Sequence, residues 1–259
     1  MRFLPAGAVR DRLKDFYYAA MMMQTGGRGI RSMLPHGEIV RVLPRHRHLS
    51  WNPAEYEAFR GAVQPGATAL DIGANVGAYS LLLGQWVGTK GRVFAFEPAP
   101  AIFDGLSRHI VLNGLSSIVM PVASAVGSCV TTTASLVLAG THGESHLASA
   151  HDAAAPSVHV ALTTVDRFCE EQRIAPSFIK VDVEGFELSV LRGARETIAR
   201  AGRDLALFVE MHPSVWPLIG TSREDILREL DVQRLDIEPL APTQDVWAVE
   251  GLCVRLTRR

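Results

Sequence analysis

Two acidic residues that end short apolar runs are the first candidates for chemistry. Leu70-Asp71-Ile72 leads into Gly73-Ala74-Asn75-Val76-Gly77, and Phe94-Ala95-Phe96 leads into Glu97-Pro98. Gly73 and Gly77 permit a tight turn and a close approach of backbone to a ligand. Asp71 would repel a pyrophosphate at that turn and attract an amino-acid-like cation. The glycines are also four apart, without the GxGxxG spacing of dinucleotide sites. Electrostatics therefore favour S-adenosylmethionine, which carries an ammonium and a sulfonium, over NAD. Glu97 can accept both hydroxyls of a ribose, a contact that NAD sites share. The plainer alternatives are a turn cap for Asp71 and a surface acid for Glu97.

A second group lies further along the chain. Lys180, Asp182 and Glu184 alternate through Phe178–Glu184, a spacing that on a strand places all three on one face. Charges buried on an apolar strand cost of order several kcal/mol unless they are paired or functional. Lys180 could be paired with an acid of the next strand, and Glu184 could serve the dipole of the following helix. Glu210 and His212 likewise share a face, just before Pro213. Moving a group onto an alcohol requires a base or a metal near the acceptor oxygen. His212, oriented by Glu210, is the expected base, with Asp182 orienting acceptor and cofactor. Two alternatives stand beside it: a divalent ion on Asp182, Glu210 and His212 that acidifies the hydroxyl, and a purely structural His212. The metal-free route is the expectation, and a chelator should then have little effect.

The elements that must position these groups follow from the apolar pattern. Short, mostly apolar strands at Ala69–Ile72, Arg92–Phe96, Ile118–Val122 and Phe178–Val183, and a continuous apolar one at Leu205–Val209, are separated by helical stretches at Tyr79–Val87, Ala101–Asn113, Thr164–Gln172 and Leu188–Ile198. Strands alternating with helices predict a mainly parallel sheet, and ligands of such sheets sit beyond the carboxyl ends of the strands. A helix from Ser222 precedes strands at Gln233–Ile237 and Val246–Leu256, which predict an antiparallel edge hairpin. Ser128–Val160 breaks the rhythm and is expected to be a β-hairpin insertion. Asn52-Pro53-Ala54-Glu55 is a helix start running to Val63. The expected division is an extension over 1–66 that covers part of the site and a second unit over 67–259, with the insertion at about 128–160.

Composition excludes several classes. The chain has 259 residues, with 26 basic and 27 acidic side chains and a net charge of −1. No global basic field exists to hold a nucleic-acid backbone. Three cysteines without CxxC spacing argue against a disulfide scaffold or thiolate zinc site. No stretch approaches the ~20 apolar residues needed to cross a bilayer. The run Phe16–Met23 lacks a small-x-small cleavage pattern and is expected to be an amphipathic helix. A cytoplasmic protein with no nucleic-acid or membrane partner is the expectation.

Three blocks resemble the FkbM-type methyltransferase family: Leu70 to Ser80, Ala95-Phe96-Glu97-Pro98, and Ile179 to Glu187; Phe208-Val209-Glu210-Met211-His212 resembles its following strand. The resemblance runs from about Glu38 to about Pro213 in order and spacing. It implies a class I, Rossmann-like α/β fold with a mainly seven-stranded sheet, S-adenosylmethionine as cofactor, and O-methylation of a hydroxyl on a small metabolite, sugar or natural product. It further implies that Asp71, Gly73, Asn75 and Gly77 surround the methionine part, together with Ala74, Tyr79 and Ser80. Glu97 and Pro98 would flank the ribose, and Ala123, Ser124 and Asn113 the adenine. Capping explains Asn113 equally well. The rivals are an NAD-linked oxidoreductase and a non-catalytic S-adenosylmethionine-binding protein. Arg45-His46-Arg47-His48 could meet an anionic substrate or be a solvated turn. His142-Gly143-Glu144-Ser145-His146 could be a lid over substrate or an ordinary loop.

Overall fold

Seven strands in the order β12-β13-β11-β10-β3-β4-β5 form the central sheet of the computed structural model, which describes residues 6–137, 146–147, 157–240 and 245–259. The parallel members are β3 (Thr68–Ile72), β4 (Arg92–Phe96), β5 (Val119–Val122), β10 (Phe178–Val181) and β11 (Ala206–Met211). β12 (Leu235–Pro239) and β13 (Leu252–Arg258) close one edge antiparallel, as the two closing strands predict. Chain order runs outward in both directions from β3 and β10, which makes their carboxyl ends the switch point of the sheet.

One face of the sheet carries α3 (Ala78–Val87) and α4 (Pro100–Leu112); Leu81, Leu82 and Leu83 are all fully buried there. The N-terminal elements complete this layer. β1 (Ile30–Met33) and β2 (Ile39–Val42) form a small antiparallel sheet, and α2 (Pro53–Ala62) starts at Asn52, whose side chain accepts from the Ala54 and Glu55 amides. Phe59 of α2 is fully buried against the rings of Tyr79, Phe178 and Phe208, with centroids 4.8–5.6 Å apart. The second half of the expected extension is therefore part of the core. Ahead of it, α1 (Ala6–Gln24) is helical as expected, and leaves Leu13, Phe16, Tyr17 and Met23 exposed.

The opposite face is covered by α5 (Val165–Gln172), α6 (Glu187–Arg192), α7 (Arg195–Ala201) and α8 (Arg223–Gln233). The stripe expected to form one helix over 188–198 is two helices. At Gly193 a side chain would stand 2.0 Å from the Gly127 carbonyl, so the chain bends there against another backbone. The last strand begins later than expected, because Asp245 caps a turn over 246–249 with its side chain on the Trp247 amide. Likewise β10 stops at Val181, and Asp182–Gly185 form a turn with Glu184 at φ 47° and Gly185 at φ 99°.

The insertion is larger than a hairpin. β6 (Ser124–Val126) pairs in parallel with β9 (Ser157–Thr163), which pairs antiparallel with β7 (Thr131–Val137), and β7 with β8 (His146–Leu147). The result is a separate four-stranded sheet with its own small core of Ala99, Ala125, Leu136, Val160 and Leu162. It is rooted beside the main sheet: the Gly127 amide donates to Thr163, and the Ser128 amide to the Ser189 hydroxyl at 3.0 Å. The lid expected at 142–146 lies outside the described residues apart from His146.

Candidate active site

The turn after β3 is built by backbone conformations that few side chains tolerate. Gly73 sits at φ 80° with its Cα against the Asp182 carbonyl, where an added Cβ would lie 1.7 Å away. Asn75 follows at φ 51°, a region asparagine visits more readily than most residues. Its amide donates to Glu97 Oε2 at 3.0 Å, and the Ala99 amide donates to Glu97 Oε1 at 2.8 Å. Glu97 is thereby locked at the end of β4 with lone pairs left over. Burial, partly offset by these two amides, pushes its carboxyl up to about 7.

Between these groups lies a cleft of about 650 Å3 of atom-free space, open in part to solvent. Glu97 and Pro98 line it together with the apolar Phe96, Val126, Leu136 and Phe186, and Ser124 lies at the root of the small sheet. Asp182, Val183 and Glu184 line it as well, so it runs from the β4 end to the β10 end of the sheet. A neighbouring recess holds Leu49, Asp71, Ala74, Asn75, Tyr79, Lys180 and Asp182.

Asp71 is fully buried, and burial raises its carboxyl despite Lys180. Oδ2 accepts from the Ser80 hydroxyl at 2.5 Å, while Oδ1 has no hydrogen bond and sits 3.8 Å from Lys180 Nζ. Lys180 is also buried; burial alone would lower it, but Asp182, Asp71 and Glu210 outweigh that and hold it above its ordinary value. It donates to Asp182 Oδ2 at 3.0 Å and lies 5.5 Å from the centre of the Tyr79 ring. The pairing considered for Lys180 from sequence is thus present, with partners on β3 and on its own strand end.

His212 closes the arrangement just beyond the end of β11. Its side chain is 5% exposed, and Nδ1 bonds Glu187 Oε1 at 2.6 Å. Nε2 faces Glu184 at 3.6 Å, Glu210 at 3.8 Å and Asp182 at 3.9 Å. Burial lowers the affinity of His212 for a proton, but the hydrogen bond and charge of Glu187, with Asp182 and Glu184, carry it up to about 9. Burial and the charge of Asp182 raise Glu210.

Several expected placements change. Asn113 does not line the cleft: its Oδ1 accepts from the Arg41 amide and its Nδ2 donates to the Arg41 and His109 carbonyls, fastening β2 to α4. Tyr79 and Ser80 lie behind the Gly73–Gly77 turn, the former accepting from the Asn52 amide and the latter donating to Asp71. Glu184 departs from the shared strand face because the strand has ended, yet the turn returns it to His212. Glu187 takes the orienting part expected of Glu210. It is fully buried, and accepts from the Gly185 amide and the Trp216 indole as well as meeting His212. An acid between Phe186 and Leu188 on an apolar helix is the signal that could have marked it. Of the basic turn, His46 meets His109 at 3.3 Å and burial lowers it to about 4, so it is part of the packing between the turn Pro44–His46 and α4.

Comparison with known proteins places this geometry in context. Residues 71–236 match the family described as "Methyltransferase FkbM domain". A hexuronic acid methyltransferase of Haloferax volcanii is 28% identical over 173 residues, 65% of this chain and 63% of that protein. The methyltransferase sdnD of Sordaria araneosa is 28% identical over 206 residues, 68% of this chain and 77% of its own. A crystal structure of methyltransferase FkbM from Methylobacillus flagellatus superposes with a TM-score of 0.51 at 22% identity, over 82% of this chain and 50% of that one. The chain thus spans less than two thirds of the first relative and half of that solved structure.

Proposed function

Because the chain belongs to the FkbM methyltransferase family, we propose that it moves the methyl group of S-adenosylmethionine onto a hydroxyl oxygen of a small metabolite, sugar or natural product. The residues fit that cofactor. Asp71 presents a buried oxygen without a hydrogen bond, Glu97 faces the cleft with unused lone pairs, and apolar side chains line the space beside it. When bound, the cofactor supplies a methyl carbon bonded to a positively charged sulfur. Transfer would place that methyl on the acceptor oxygen, leave the neutral thioether behind, and require a protein group to take up the hydroxyl proton. The observation that carries the reading is the meeting of Asp182, Glu184, Glu210 and His212 at the Asp182 end of the cleft. Glu97 anchors the ribose, Asp71 attracts the amino-acid part, and Asp182 stands between cofactor and acceptor. His212 and its carboxylates receive the acceptor, and a carboxylate of the group takes its proton. Much of the acceleration then comes from holding the oxygen in line with the methyl.

Family membership sets aside the dehydrogenase rival. A non-catalytic cofactor binder would have no use for four titratable groups facing one point beside the cleft. The test is an acceptor screen with methyl-labelled S-adenosylmethionine. It should include sugar acids, because one relative is named for a hexuronic acid, together with neutral glycosides and hydroxylated metabolites. The expected product carries the label as an O-methyl group by NMR. Label found on nitrogen, sulfur or carbon would refute the hydroxyl assignment, and cofactor binding with no transfer to any class would restore the non-catalytic reading.

A further inference from the structure

We propose that Asp182, Glu210 and His212 form a divalent-cation site at the acceptor end of the cleft, with Glu187 as the residue that positions its histidine. The inference deepens the methyl-transfer reading above, and its test does not depend on turnover. Sequence favours a metal-free reaction; the geometry around His212 carries the other alternative.

The first support is the state of His212. Its Nδ1 is committed to Glu187 at 2.6 Å, and Glu187 is itself fixed by the Gly185 amide at 2.8 Å and the Trp216 indole at 2.7 Å. A buried carboxylate on one ring nitrogen sets the tautomer and turns the other nitrogen toward a metal, the arrangement that recurs behind histidine ligands. Nε2, on a side chain 5% exposed, makes no hydrogen bond among the described residues. Its three carboxylate neighbours stand at 3.6–3.9 Å, too far for a hydrogen bond.

The second support is spacing. One donor atom from each of Asp182, Glu210 and His212 lies within 4.8 Å of the others. Metal–ligand bonds of about 2.1 Å allow two ligands of one ion to be up to about 4.2 Å apart. Closing on an ion therefore needs side-chain movement of less than an ångström. Asp182 is prepared for it, since Lys180 occupies Oδ2 and leaves Oδ1 toward His212.

The third support is charge. Asp182, Glu187 and Glu210 meet His212, and Asp71 lies behind Lys180. Among the described residues, the cation that remains beside these four acids once His212 serves as a neutral ligand is Lys180. A dication answers that excess where a water-filled gap would not. Two carboxylates and one imidazole without a thiolate suit a manganese-like ion, which would also polarise an acceptor hydroxyl placed on it.

The test uses chelator-treated protein titrated with Mn2+, followed by the loss of the free-ion EPR signal and by calorimetry, with S-adenosylhomocysteine binding measured on the same samples. One Mn2+ per chain is expected, with affinity falling at least tenfold in Glu210→Gln and in His212→Asn, and by 10- to 100-fold in Glu187→Gln, the scale for an outer-shell partner. S-adenosylhomocysteine affinity should stay within a few-fold in these variants, which also reports that they fold. In the unaltered protein, substoichiometric Mn2+ should broaden the Trp216 indole N–H resonance, assigned by its loss in Trp216→Phe. Absence of saturable Mn2+ uptake at millimolar ion, or uptake unchanged in both Glu210→Gln and His212→Asn, overturns the cation site. If S-adenosylhomocysteine binds and Mn2+ does not, the cation inference fails and the methyltransferase reading stands. Saturable Mn2+ without S-adenosylhomocysteine binding supports the cation site and overturns the cofactor assignment.

Discussion

Replacing Glu97 by glutamine should both weaken cofactor binding and remove its dependence on pH. Glu97 has two backbone donors already, the amides of Asn75 and Ala99, and offers the cofactor ribose only its remaining lone pairs. Hydrogen bonds to a charged acceptor exceed neutral ones by roughly 1–2 kcal/mol, so Glu97→Gln should weaken binding by roughly 5- to 30-fold at pH 8. The amide must also turn its NH2 toward one of two N–H groups that the carboxylate satisfies. The pH dependence follows from burial, which raises the carboxyl from 4.5 to about 7. A raised folded-state value means that the ligand-free protein loses stability from this group as pH rises through about 7. Ribose hydroxyls act in the opposite sense, because they donate to the ionised form. About a tenth of the carboxylate is ionised at pH 6 and about nine tenths at pH 8, so with the neutral form binding that much more weakly, affinity for S-adenosylhomocysteine should rise roughly three- to eightfold between them. Calorimetry across that range in the natural protein and in Glu97→Gln reads both effects. A flat profile in the natural protein, or an equal slope in the variant, refutes the reasoning.

Three further outcomes are expected. His212→Ala should lower kcat by roughly 10²–10⁴ with cofactor affinity little changed, measured once an acceptor is in hand; near-normal turnover would remove His212 from the reaction. Gly73→Ala places a Cβ 1.7 Å from the Asp182 carbonyl at φ 80°. The strain alone costs roughly 1–3 kcal/mol, and thermal melts with S-adenosylhomocysteine should show a destabilised fold that no longer binds. Phe59→Ala should cost roughly 3–5 kcal/mol in denaturant unfolding, because its ring touches Phe178 and Phe208 of the central sheet; a loss under 1 kcal/mol would show that the N-terminal elements pack as a separate layer.

Periodicity made the central sheet legible. β3, β4, β10 and β11 are mostly apolar runs between helices, the pattern of strands buried on both faces. The acids at their ends were legible for the same reason: a charge following such a run stands out. What escaped was decided by contacts between distant backbones. Gly193 reads as one small residue in an apolar stripe, and only the Gly127 carbonyl beneath it makes it a helix break. The four-stranded sheet read as a hairpin because the pairing of β6 with β9 joins residues 124–126 to 161–163, and no local pattern announces a parallel partner that far along. Glu187 was hidden by a conventional explanation, since an acid in the first turn of a helix needs no other reason to be there. Alternation pointed to Glu210 beside His212, whereas Nδ1 meets Glu187, because alternation reports the residues of one strand and not the helix laid across it.

The meeting of Gly127 and Gly193 has a mechanical side. Two chains touching without side chains between them form a stiff joint, and the hydrogen bonds of Gly127 to Thr163 and of Ser128 to Ser189 brace it. The small sheet is therefore a cantilever, clamped at Ser124–Gly127 and carrying Leu136 further along its length. Both Ser124 and Leu136 line the cleft, but a small rotation at the clamp displaces Leu136 more than Ser124. A side chain added at Gly193 would press on the Gly127 carbonyl 2.0 Å away, and so on the root of the sheet that carries both residues to the cleft.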